Sequence, residues 1–142
     1  MELNLAAKIC VTASGIYLLA GMLIGILKYQ RTMTSPEHRA PVYVDIAHRA
    51  AFMYSFAALV VGVLSLFSPW PPAVQLGAAG VVLLYFTLTI LGYLRHGLRD
   101  DTDNIFAERN ATTTWFMYTL IAAEIGGLAI VLWGFVSTQL LR

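Results

Sequence analysis

The stretch Ile121-Ala122-Ala123-Glu124-Ile125-Gly126-Gly127 sets one carboxylate in the middle of an apolar run from about Thr113 to Val136. About twenty apolar residues in a helix, at 1.5 Å each, cross a hydrocarbon core of about 30 Å. Read as a membrane span, the run puts Glu124 near the bilayer midplane, where an ionisable side chain costs roughly 3 kcal/mol on insertion scales. Such a side chain needs a partner, a water-filled cavity or a proton.

Three more runs of the same kind precede it. The spans read as about 5–27, 46–67, 73–94 and 113–136. Lys8 in the first can snorkel to the interface. That run is too long for a signal-peptide core and lacks a small-residue cleavage site before Lys28, so it reads as retained. Pro36 and Pro41 exclude a continuous helix across the first connection, and Ser68-Pro69-Trp70-Pro71-Pro72 is a tight turn with Trp70 as an interfacial anchor. Only 12% of the 142 residues are charged, against about 25% in soluble domains. The expectation is an all-α integral membrane protein, a single four-helix transmembrane bundle over 1–142.

Charge sets the expected orientation. Lys28, Arg31, Arg39, Arg49, Arg95, Arg99 and Arg109 share the side of the two long connections, while Lys8 and Arg142 fall on the other. The positive-inside rule then makes both long connections cytoplasmic and both termini external, in a bacterial-type inner membrane. A net charge of +1 argues against nucleic acid as a partner, because phosphate recognition demands a basic surface. The single cysteine, Cys10, reads as a small buried apolar residue.

Depth along the helices brings further groups to the level of Glu124, which lies about eleven residues, or about 16 Å, into its span. Tyr17 in span one, Tyr54 in span two and Tyr85 in span three lie within about two turns of that level. A midplane polar cluster of Glu124, Tyr17, Tyr54 and Tyr85 is therefore expected. Its alternatives are a protonated carboxyl that locks helices together, a proton relay or ligand contact, and a carboxylate facing a partner subunit.

A second constellation lies at the cytoplasmic rim. His48-Arg49 opens span two, Arg95-His96 closes span three, and Arg99 follows. These residues suit an anionic headgroup or cosubstrate, or serve only to hold the topology. Two histidines on neighbouring helices could also ligate a b-type haem, but such ligands usually sit deeper. The run Asp100-Asp101-Thr102-Asp103 lacks the glycine and the distant glutamate of a calcium loop and reads as solvated. No metal-binding pattern is present. Asn110-Ala111-Thr112 matches a glycosylation sequon on the cytoplasmic side, where it is discounted. Gly21 and Gly25, Gly77 and Gly80, and Ala123 and Gly127 mark expected helix contacts.

In plan, the chain resembles the MAPEG superfamily, the membrane-associated proteins in eicosanoid and glutathione metabolism. Val42-Tyr43, Ala47-His48-Arg49 and Tyr54 stand where that family contacts glutathione; Gly92-Tyr93 and Thr114-Trp115 are similar to its span ends. Where the family carries an asparagine and a glutamate after the histidine, this chain has Ala50 or Ala51 and Met53. The resemblance implies a four-span trimer and a glutathione-dependent transferase whose arginines hold glutathione carboxylates. Locally, His48-Arg49 is also similar to the His-Arg pair beside quinone and haem propionates in succinate dehydrogenase anchors.

Two functions follow as expectations. In one, an amphiphilic ligand (lipid, quinone or glutathione conjugate) binds between helices with its polar end at His48, Arg49, Arg95, His96 and Arg99. In the other, the chain is a non-catalytic subunit or homo-oligomer that packs on partner transmembrane helices.

Overall fold

Prolines and capping residues cut the chain into four long helices. A computed structural model describes residues 3–141, apart from the side chain of Thr112. It contains α1 (Leu5–Thr34), α2 (Val42–Leu66), α3 (Pro72–Arg99) and α4 (Ala111–Gln139). All four are long and apolar enough to cross a membrane, and no strand occurs among the described residues.

Each boundary has a local cause. Asn4 caps α1 by accepting from the Ala7 amide at 2.8 Å, satisfying one of the amides a helix start leaves free. Pro41 and Pro71 precede α2 and α3, where a missing amide costs nothing. Asp100 ends α3 in the left-handed region at φ 51°, a conformation that aspartate tolerates better than most side chains. Asn110 and Thr113 form a reciprocal capping box at the start of α4, so Asn110 is a helix cap. The helices outrun the apolar spans. α1 continues to Thr34 and α3 to Arg99, and α2 begins at Val42. The polar segments expected as long connections are therefore partly helical, because Lys, Arg and Gln are good helix formers.

The four helices alternate in direction, so the chain ends and the short α2–α3 turn share one end of the bundle. A polar knot ties that end together. Asn4 Nδ2 donates to Ser65 O and Gln75 Oε1, both at 2.9 Å, and Gln75 Nε2 donates to Ser68 O and Trp70 O. The same turn holds α4, since Trp70 Nε1 donates to Ile130 O and Thr138 Oγ1 to Phe67 O. Arg142 lies outside the described residues.

α2 and α3 form the centre, α1 packs on one side of them and α4 on the other. Among the described residues α1 and α4 do not touch. Close approach occurs where glycine leaves room. A Cβ on Gly97 would come within 2.5 Å of the Val44 amide nitrogen, one on Gly62 within 2.9 Å of Cys10 Cβ, and one on Gly127 within 2.7 Å of the Ala78 carbonyl. Gly21 and Gly25 face Phe52 and His48 as small-residue contacts, but Gly77 and Gly80 have nothing within 4 Å. That pair is therefore no helix contact; the close positions on α3 are Ala78 and Gly97 instead. The outer faces carry Ile16, Leu19, Leu23, Met53, Phe56, Ile125 and Trp133, all more than half exposed. An apolar belt of this extent fits lipid and not water.

Candidate functional site

α4 is closely packed on α3 along one half of its length only. Gly127 sits against Ala78 and Val82, and Gly134 against Ser68 and Trp70. Towards Ala111 the two helices part, and the connection 100–110 closes over the gap. The result is a cavity of about 890 Å³, within the range of small-molecule sites.

Its chemistry changes with depth. At the mouth are Arg95, His96, Asp101, Thr102, Asn104 and Glu108; the walls are Leu88, Tyr93, Phe106, Phe116, Met117 and Leu120. Tyr54 and Thr89 close the inner end. His96 Nδ1 lies 2.8 Å from Asp101 Oδ1, and this hydrogen bond holds the Asp101 carboxyl below the usual carboxylate range. Tyr43 fastens the connection by accepting the Ile105 amide at 2.8 Å, and its ring lies 5.7 Å from Tyr93 and 5.8 Å from His96. Tyr54 is held flat against Phe86, with centroids 4.1 Å apart.

Thr89 differs from six other helical threonines. Thr12, Thr32, Thr34, Thr87, Thr119 and Thr138 each donate to the carbonyl four residues back on their own helix, the usual way a helix absorbs a hydroxyl. Thr89 is only 6% exposed, and its Oγ1 makes no such bond. A buried, unpaired hydroxyl costs about 1–3 kcal/mol. One turn beyond Leu120 on the inward face of α4 stands Glu124, whose Oε1 is also sealed from solvent without a partner. Among the described residues no basic side chain forms an ion pair with it.

The expected midplane cluster is thus divided. Tyr54 lines the cavity, and Glu124 is not among its lining residues. Tyr17 is on the far side of α3, bonded to Leu83 O and Thr87 Oγ1, each at 2.8 Å. Tyr85 leans on Phe116 at 5.6 Å, on the flank of the cavity. The rim is divided too. Arg95 and His96 line the mouth, whereas His48 turns to α1 and sits 2.8 Å from Gly21 O. Arg49 pairs with Asp45, which also holds Lys28, and Arg99 is exposed and outside the lining. The two histidine rings therefore serve different helix pairs. Among the described residues no three metal-ligating side chains gather.

Thr89, Gly92 and Asp101 were not among the expected site residues. A signal existed in the sequence: Tyr85, Thr89 and Tyr93 recur every fourth position, with His96 one turn on. That spacing aligns them on one face of α3. Comparison with protein-family models, curated proteins and solved structures gives no match to this chain.

Proposed function

We propose that this chain is a membrane protein that binds an amphiphilic or lipophilic small molecule in the cleft between α3 and α4. The observation that carries the reading is the 890 Å³ cavity whose inner lining includes Thr89, buried with an unused hydroxyl. A buried polar atom without a partner is rare and calls for a group to complete it. The aromatic and aliphatic walls suit an apolar body, while Arg95, His96 and Asn104 suit a polar head at the rim.

Orientation belongs to the same proposal. Seven of the nine basic residues cluster at the end with the longer connections, so that end, with the mouth of the cleft, faces the cytoplasm of a bacterial-type cell. Of the amphiphiles considered, lipids and quinones match the walls better than glutathione. The residues that would hold glutathione carboxylates do not converge, because Arg49 is engaged by Asp45 and His48 by α1.

The test is purification in mild detergent followed by mass spectrometry of everything retained, with an absorbance spectrum. A small amphiphile retained by the wild-type chain and lost on Gly92→Trp supports the cleft. A stoichiometric second polypeptide with no retained small molecule would replace this reading with that of an accessory subunit.

A further inference from the structure

The connection between α3 and α4 forms one wall of the cleft, yet little ties it to the helices. Asp101, Thr102, Asn104, Ile105, Phe106 and Ala107 all line the cavity. The ends of the segment are fixed. The Asp100 amide donates to His96 O at 2.8 Å, and Asn110 is held in the capping box of α4. Between these points the chain bonds to itself: the Asn104 amide donates to Thr102 Oγ1, the Phe106 amide to Asn104 Oδ1 and the Ala107 amide to Asn104 O. Among the described residues, two hydrogen bonds join residues 101–107 to the helices. The Ile105 amide donates to Tyr43 Oη and His96 Nδ1 donates to Asp101 Oδ1, each at 2.8 Å. Both anchors belong to the cavity wall. His96 lines the mouth, and the buried Tyr43 ring lies against the rings of Tyr93 and His96.

Taking the α3–α4 cleft as the binding site, we infer that residues 101–107 are a lid over it, latched by Tyr43 Oη and by the His96–Asp101 pair. Three features favour a lid over a fixed wall. A segment that carries its own hydrogen bonds keeps them when it moves, so opening breaks the two latch bonds and leaves the turn intact. Water replaces a broken latch bond, which makes the net cost of each small, and segments held this lightly open long before the fold does. Asp100 supplies a hinge: it ends α3 at φ 51°, and residues at element ends are where lid motions place their backbone rotation. Closed, the lid keeps water from the aromatic and aliphatic walls; open, it admits the ligand from the end of the bundle with the longer connections.

The experiment reads opening as thiol labelling of the full chain in phosphatidylcholine nanodiscs, with a water-soluble trimethylammonium methanethiosulfonate as probe. Gly92→Cys places a thiol in the cavity, where a Cβ meets nothing within 4 Å, and the native Cys10 is buried. Glu37→Cys, exposed in the α1–α2 connection, reports the unhindered rate. With the latches intact, Gly92→Cys is expected to react at least about tenfold more slowly than Glu37→Cys. Tyr43→Phe keeps the ring and deletes the acceptor of the Ile105 amide. It should speed labelling of Gly92→Cys at least about threefold, as should Asp101→Asn, and neither should change Glu37→Cys. A Gly92→Cys rate that both latch variants leave unchanged overturns the lid. So does a rate equal to that of Glu37→Cys with the latches intact. The labelling needs no ligand, so faster labelling in a chain that retains no small amphiphile on purification supports the lid and refutes the binding reading alone.

Discussion

Gly92 offers a direct handle on the cleft. It lines the cavity, and a Cβ built on it meets nothing within 4 Å. Gly92→Trp therefore places an indole in the space without a clash with the backbone, and it exchanges a poor helix former for a better one, a gain of a few tenths of a kcal/mol. Denying a ligand only about 60 Å² of apolar contact costs about 1.5 kcal/mol, which is about tenfold in affinity. An indole covers about 150–250 Å², so tenfold is a lower bound. Gly77 supplies the control. It lies on the same helix with nothing within 4 Å, and it is outside the lining. Calorimetry with octylamine and 1-octanol in nanodiscs should show Gly92→Trp weaker by at least tenfold for the probe that binds. Gly77→Trp should remain within about twofold of wild type, and both variants should melt within a few degrees of it. Wild-type affinity in Gly92→Trp, or the same loss in both variants, would refute the cleft as the binding site.

Other perturbations test the packing and the rim. Gly97→Ala drives a methyl group to 2.5 Å from the Val44 amide nitrogen; overpacking of this kind costs about 1–3 kcal/mol, read as a lower thermal midpoint in detergent. Gln75→Leu removes the donor to Ser68 O and Trp70 O and the acceptor of Asn4 Nδ2. The groups left unpaired cost about 1–3 kcal/mol, and amide exchange of the α2–α3 turn should quicken. For Asp101 the sign follows from a folded-state carboxyl held low by its bond to His96. That contribution is present above the ordinary carboxylate value of about 3.9 and is lost as pH falls through the lower folded value. Protection of the amides in residues 101–107, taken relative to the intrinsic exchange rate at each pH, should therefore be steady around neutral pH and fall below about pH 4. Asp101→Asn should show the faster exchange at neutral pH already, and unchanged exchange in that variant would remove the pair from the account of the rim.

Four spans were legible without coordinates because membrane crossing is a one-dimensional property. Length and apolarity decide it residue by residue, and 12% charge left no soluble alternative. Depth was legible for the same reason. Arg95 and His96 do share a mouth. Rotation was not legible. In a lipid-facing helix both the outer and the packed faces are apolar, so hydrophobic periodicity carries no phase, and a tyrosine at the right depth points to either side with equal ease. Tyr17 has the right depth and the wrong neighbour, because α1 and α4 lie on opposite sides of the α2–α3 pair. His48 and His96 are parted in the same way. Only the tertiary structure decided which glycines are crossings and which stand open. Only it opened a wedge between α3 and α4, where close packing at Gly127 and Gly134 gives way to the connection 100–110. Glu124 was marked by sequence alone as a charge in need of a partner. That its Oε1 is sealed from solvent without a partner depends on how four apolar helices turn about their axes, and no run of apolar residues encodes that angle.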